Sequence, residues 1–233
     1  MDFTPIASSS KGNAYLLESP GVGPLLIEAG IPMKQLREKL HFGVSGLAGC
    51  LISHEHMDHA KAVKALLKAG VDCYMSKGTA EALSIQDHYR TIYFLGAVRV
   101  GPWLVQSVSL EHDAAEPFGF FIEHSKERLL FIPDTGFVKN RFEGVNILAI
   151  ECNHLEEKLS QNILNGSIPA VAGRRTRRNH MSLERVITML KSNDLSKCRA
   201  IYLLHLSDGN SSEEIMRKKV QEATGVPVYV CES

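Results

Sequence analysis

The chain has 233 residues, 44% of them hydrophobic and 22% charged, an ordinary globular balance that excludes a disordered or fibrous polymer. Its 26 basic and 26 acidic residues cancel, which excludes a globally cationic nucleic-acid coat but leaves room for a local basic patch. No run approaches the ~18 consecutive apolar residues of a membrane span, and the opening Met1-Asp2-Phe3-Thr4-Pro5 lacks the charged-then-apolar layout of a signal peptide.

Residues 3–7, 14–18 and 24–28 read as strands broken by turns, the last of them after Pro20-Gly21-Val22-Gly23. A helical pattern covers residues 33–40. Residues 48–52 are a short apolar run, the signature of a buried strand, and they end abruptly in polar residues. Ala62, Val63, Leu66 and Leu67 fall at helical intervals within residues 60–69, with Gly70 as the stop signal. Residues 71–75 form another strand and 79–85 a short helix. From about residue 97 to 133 the pattern is consecutive strands with polar turns, and residues 146–151 add one more. Helices follow at 155–164, 182–191 and 211–224, with strands at 199–204 and 226–231. Neither a repeat nor a Pro/Gly/Ser linker divides the chain, so one domain over residues 1–233 is expected, of layered α/β class. Cys50, Cys73, Cys152, Cys198 and Cys231 are dispersed, with no Cys-x-x-Cys. They read as reduced thiols, and the expected compartment is the cytoplasm.

The segment with most chemistry is His54-Glu55-His56-Met57-Asp58-His59, set between the buried strand and the helix. Imidazoles and a carboxylate at a sheet edge are costly unless they are paired or bind something. His54 and His56 alternate along an extended end and can point the same way, while Asp58 and His59 lie past the bend and can face a second centre. The bland alternative is a solvated loop in which Asp58 caps a helix. One segment cannot complete two coordination spheres. Further candidates stand where apolar strands end: His112, Asp134 after Leu129-Leu130-Phe131-Ile132-Pro133, and His205 after Ile201-Tyr202-Leu203-Leu204.

Together with Ser9-Ser10-Lys11-Gly12-Asn13, Glu111-His112-Asp113-Ala114, Pro133-Asp134-Thr135-Gly136, Glu151-Cys152-Asn153-His154, Asn179-His180-Met181-Ser182 and His205-Leu206-Ser207, this block resembles the metallo-β-lactamase superfamily. It is most similar to the YycJ/WalJ branch, a relative of the nucleases ribonuclease J and ribonuclease Z. The resemblance spans nearly the whole chain and implies a four-layer αββα sandwich. It also implies two divalent ions, with His54, His56 and His112 on the first, Asp58, His59 and His205 on the second, and Asp134 bridging both. Such a donor set suits Zn²⁺ or Mn²⁺, and a shared hydroxide would be the nucleophile. Where the family carries Asp, this chain has Glu28-Ala29-Gly30; Glu28 is expected to support the ligand loop from behind and to alter metal preference.

Asp58 and Asp134 are thus candidate catalytic carboxylates. His180 sits at the position that in the family contacts the phosphate or protonates the leaving group. Ser182 is read as a phosphate donor or a helix N-cap, and His154 as support for the site or an ordinary loop histidine. Arg174, Arg175, Arg177 and Arg178 form the one dense cationic run and lead directly to His180. They are candidates to hold a phosphodiester or else a solvated loop. Ser10 and Asn13 are candidate substrate contacts in the first turn. The expected activity is a metal-dependent phosphodiesterase, a nuclease, with 5′-to-3′ exonuclease action on single-stranded DNA as its sharpest form. The alternatives are hydrolysis of cyclic nucleotides or other small phosphodiesters, and of lactams, lactones or thioesters; a non-enzymatic nucleic-acid scaffold predicts missing ligands. The expected partners are single-stranded nucleic acid or a nucleotide phosphodiester, a second copy in a homodimer, and no membrane.

Overall fold

A computed structural model describes residues 1–41 and 43–231. The chain divides into two compact units, one of Met1–Ser109 with Ala114–Glu127, the other of Leu110–Asp113 with Arg128–Cys231.

The first unit carries a sheet in the order β1 (Asp2–Ser9), β2 (Gly12–Glu18), β3 (Leu25–Ile27), β4 (Gly49–Leu51), β5 (Cys73–Met75) and β6 (Thr91–Tyr93). The pairing is antiparallel from β1 to β3 and parallel from there on. Strands β3, β4 and β5 are buried at every residue, which is why they appear in sequence as apolar runs without alternation. A second set, β7 (Ala97–Val100), β8 (Trp103–Ser109) and β9 (Phe118–His124), forms an antiparallel meander. Helices α1 (Met33–Lys39), α2 (Met57–Ala60), α3 (Val63–Lys68) and α4 (Lys77–Ala82) complete the unit. Leu26, Ile52, Val63 and Leu66 lie in its core.

The helix expected over residues 60–69 is broken into α2 and α3, and the backbone shows why. In a continuous helix the Val63 N–H would bond the His59 carbonyl and the Ala62 N–H the Asp58 carbonyl. Instead the His59 carbonyl accepts from the Ala29 N–H at 2.8 Å, and the Ala62 N–H donates to the Ala29 carbonyl at 2.8 Å. The Asp58 carbonyl accepts from Asn13 Nδ2 at 3.2 Å. Chain from the turn after β3 has taken over the helical hydrogen bonds. This fixes the start of α2, where Asp58 and His59 stand.

In the second unit, strands β10 (Glu127–Ile132, whose first residue belongs to the first unit), β11 (Ile147–Glu151), β12 (Ala200–Leu204) and β13 (Val228–Val230) run parallel and side by side. With them come α5 (Glu156–Leu164), α6 (Ala170–Asn179), α7 (Leu183–Lys191) and α8 (Glu213–Thr224). Helix α6 was not expected. Its sequence, AVAGRRTRRN, has almost no apolar periodicity, and it docks through a glycine: a Cβ on Gly173 would lie 2.3 Å from the Ile163 side chain of α5. The arginine run is therefore helical, not a loop. Among the described residues no helix is long and apolar enough to cross a membrane.

Candidate metal centre

In the first unit, β4 delivers His54 and the start of α2 delivers Asp58 and His59. His54 is 1% exposed, its Nδ1 lies 2.8 Å from Ser53 Oγ, and its Nε2 lies 3.2 Å from His56 Nδ1. The His54 ring centroid is 4.7 Å from that of His56 and 4.2 Å from that of His59. The approach of His54 Nε2 to His56 Nδ1 fits two nitrogens sharing a cation, with the His59 ring beside them. His59 Nε2 is 3.5 Å from an Asp58 carboxylate oxygen and 3.2 Å from Asn13 Nδ2.

Glu28 stands behind this group. It is fully buried at φ 63°, in the left-handed region where an L-residue is strained. Its Oε2 lies 3.6 Å from His59 Nδ1 and accepts weakly from the Ser53 N–H at 3.4 Å. Burial raises the Glu28 pKa, with His59 offsetting part of that rise. A carboxylate oriented onto the far nitrogen of an imidazole fixes its tautomer and ring plane, and Glu28 stands on that side of His59. Asn13 is also fully buried, and its amide is engaged by Ser9, Asp58 and His59. These bonds tie the end of the β1–β2 hairpin to the start of α2. Ser10 is exposed in the β1–β2 turn.

In the second unit, Asp134 follows β10, His205 follows β12 and His180 ends α6. Asp134 is 2% exposed; its Oδ1 lies 2.6 Å from His205 Nδ1 and its Oδ2 3.8 Å from His112 Nε2 and 3.9 Å from His180 Nδ1. His112 Nδ1 donates to the Asn179 carbonyl at 3.0 Å, which makes Nε2 the candidate ligand atom. His205 has φ 52°, a strained backbone held at the end of a buried strand.

The sequence quoted Glu151 within a family motif but gave it no role; the structure gives it one. It is fully buried at the end of β11, and its Oε1 lies 2.5 Å from His180 Nδ1 and 3.5 Å from His205 Nδ1. Its Oε2 accepts from the backbone N–H of Thr135 and of Met181, both at 3.1 Å. Donor atoms of Asp134, Glu151, His180 and His205 all fall within 4.8 Å of one another.

Burial alone would lower the His205 pKa, but the Asp134 and Glu151 carboxylates outweigh it and push it up to about 10. His180 is raised in the same way, burial being overcome by Glu151. For Glu151 the order reverses: burial would raise it, and His180 and His205 bring it below the usual carboxylate range. His112 is lowered by burial, with Asp134 offsetting only part of that effect. A buried set of imidazoles and carboxylates, neutralising one another by proton sharing, fits the nitrogen and oxygen donors of a divalent ion.

The remaining candidates are placed as follows. Ser182 is buried as the N-cap of α7 and accepts from the Arg185 N–H at 3.4 Å, which supports its capping role. His154 is 1% exposed with its Nε2 3.6 Å from Glu156, and burial lowers its pKa. Arg175 reaches Asp113 at 2.7 Å. Arg177 donates from Nε to Glu156 Oε1 and from Nη2 to Ser160 Oγ, both at 2.7 Å, which ties α6 to α5. Arg174 and Arg178, one helical turn apart, are exposed.

A curated relative, exodeoxyribonuclease YycJ of Bacillus anthracis, is 29% identical over 238 residues, covering 95% of this chain and 88% of its own. Exodeoxyribonuclease WalJ of Streptococcus pneumoniae is 27% identical over 238 residues, covering 91% and 84%. Among solved structures, the metallo-β-lactamase fold protein YhfI of Bacillus subtilis superposes with a TM-score of 0.76 at 16% identity, covering 99% of this chain and 95% of its own. The short form of human tRNase Z does so with 0.68 at 15% identity, covering 100% and 97%. These structural likenesses show the expected fold. The model of the β-lactamase superfamily domain matches residues 25–205, and with the YycJ and WalJ relatives it shows that the chain belongs to that superfamily, in its YycJ/WalJ-like branch.

Proposed function

We propose that this chain is a dinuclear metal-dependent phosphodiesterase, a nuclease whose sharpest form is 5′-to-3′ exonucleolysis of single-stranded DNA. The observation that carries the reading is the Glu151–His180 pair beside Asp134 and His205. It is a histidine held by a buried carboxylate and set beside Asp134 and His205. Such a group can protonate the leaving oxygen of a phosphodiester, and the similarity to relatives named exodeoxyribonucleases supports that substrate over a lactam or thioester. The family resemblance supports assigning the ligand sets of the two units a common task on two ions, Zn²⁺ or Mn²⁺, and treating the chain as one domain.

When bound, the two ions would lower the pKa of a water from about 15.7 towards 7 and supply a nucleophile at neutral pH. His180 would contact the scissile phosphate and hand a proton from its Nε2 to the leaving oxygen. Glu151 holds the proton on Nδ1, so that the imidazole presents Nε2 outward. Asp134 orients His205 and Glu28 orients His59, so neither ring turns when substrate arrives. The test is a time course on end-labelled single- and double-stranded DNA and RNA beside 2′,3′- and 3′,5′-cyclic nucleotides, nitrocefin and a thioester. Shortening of single-stranded DNA from its 5′ end is expected. Turnover confined to nitrocefin or the thioester would overturn the reading, and turnover confined to cyclic nucleotides would move it to small phosphodiesters.

Metal binding should depend on pH. Without metal, the His205 ring stays protonated at neutral pH because its pKa is pushed up to about 10, and the His180 pKa is shifted in the same direction. Ligation must displace the His205 proton, so apparent affinity should rise with pH up to about 10 and fall below it. Calorimetry in buffers of different ionisation enthalpy should show proton release; a pH-independent affinity would contradict the His205 assignment.

The arginines can be separated in the same way. Arg177 is committed to Glu156 and Ser160, so Arg177→Ala should cost roughly 0.5 kcal/mol through the partly exposed α5–α6 link and leave the salt dependence of DNA binding unaltered. Replacing exposed Arg174 and Arg178 together should make the salt slope shallower by about 1–2. Binding measured between low and moderate salt distinguishes the two variants.

A further inference from the structure

The second unit contains a cavity of about 410 Å³ lined by residues 137–141, Met181 and the outer side of α7. The volume falls within the ~300–1,000 Å³ typical of sites for small organic groups. Val138, Met181 and Met189 are buried and form its interior, while Phe137 is 53% exposed although it lines the same space. Two thioethers and an aromatic ring make a soft, polarizable surface that accepts a flat aromatic group without demanding a specific hydrogen-bond pattern. The charged lining residues are Lys139, Arg141, Arg185 and a single carboxylate, Glu184. Arg185 donates to the carbonyl oxygens of Gly136 and Arg177, neutral acceptors that do not cancel its charge.

The cavity is also adjacent in chain to the site. Met181 follows His180, and the Phe137 carbonyl accepts from Thr135 Oγ1 at 2.9 Å, one residue past Asp134. Three residues of chain reach no further than about 11 Å, so Phe137 and Asp134 stand within that distance of each other. An apolar hollow with a cationic margin, next to a phosphate-handling histidine, complements a single strand, whose bases are unstacked and whose phosphates are anionic. Paired bases in a duplex have no free face to offer it.

We propose that this cavity takes one unstacked nucleobase of a single-stranded substrate, with Arg141 and Arg185 on the flanking phosphates. The proposal rests on the phosphodiester reading and adds a subsite to it. Thr188 lines the cavity from the exposed side of α7, so Thr188→Trp should fill it without disturbing the fold, which circular dichroism and a melting curve check. Phe137→Ala removes the aromatic ring instead.

The first readout is binding of a short single-stranded oligonucleotide carrying 2-aminopurine, followed by fluorescence in EDTA so that nothing is cleaved. The second is the ratio of kcat/KM on a single-stranded oligonucleotide to that on bis-p-nitrophenyl phosphate, which has no base. Both variants should weaken oligonucleotide binding about tenfold and lower the ratio by a similar factor. Wild-type binding and an unaltered ratio in folded Thr188→Trp and Phe137→Ala would overturn the subsite. Should the protein hydrolyse neither substrate, the phosphodiester reading fails, and the fluorescence titration still decides whether a base occupies the cavity.

Discussion

An Asp134→Ala enzyme is expected to lose turnover and metal together. Asp134 is 2% exposed, and its carboxylate stands 2.6 Å from His205, 3.8 Å from His112 and 3.9 Å from His180. Removing a residue that merely orients a ligand costs about 10–100-fold in metal affinity, so removing a ligand that also orients His205 should cost at least ~100-fold. The metal-free protein should suffer as well. The His205 imidazolium would lose the carboxylate at 2.6 Å and keep Glu151 at 3.5 Å, and breaking a buried ion pair costs about 3 kcal/mol or more. Asp134→Asn separates the two effects, because its amide oxygen can still accept from His205 Nδ1. That variant should regain most of the stability and almost none of the metal. Metal content, melting temperature and turnover measured on both variants check the argument; full activity in Asp134→Ala would refute the ligand assignment.

The second large effect is expected where no ligand is touched. A Cβ on Gly30 would lie 1.7 Å from the Asp58 carbonyl oxygen and 2.7 Å from the Asn13 backbone nitrogen. Both obstacles are backbone, so no side chain can swing aside. Gly30→Ala must push the start of α2 away from β3, breaking the exchange in which Ala29 bonds His59 and Ala62. Overpacking of this kind costs about 3 kcal/mol, and a ligand loop displaced by 1 Å can cost ~100-fold in rate. A melting curve and a Mn²⁺ titration of Gly30→Ala should show both losses. A variant that folds and binds metal like the wild type would mean that the turn after β3 does not set the ligand loop.

What the sequence revealed and what it hid follow from the same physics. His54, His56, Asp58 and His59 were legible because four polar donors interrupt apolar pattern at a strand-to-helix junction. Asp134 and His205 were legible because each punctuates a buried strand. Glu151 ends β11 in just that manner, so the signal was present, but a lone glutamate at a strand end does not announce that it is fully buried and paired with two histidines. Helix α6 was hidden because its docking surface is a glycine and its other residues are mostly arginine, leaving no apolar stripe to read. The break between α2 and α3 was hidden because it arises from Ala29, over thirty residues away in sequence, competing for helical hydrogen bonds. For Asn13 and Arg177 the residue type suggested substrate contact, and only the tertiary partners show that their donors are already engaged.

Seven expected ligands, His54, His56, Asp58, His59, His112, Asp134 and His205, would hold two divalent ions. Metal stoichiometry per chain, read by isothermal titration with Mn²⁺ and by elemental analysis after Zn²⁺ loading, tests it most directly. The account predicts two equivalents in the wild type, with His56→Ala and His205→Ala each losing one. Less than one equivalent in the wild type, or two retained in both variants, would contradict it.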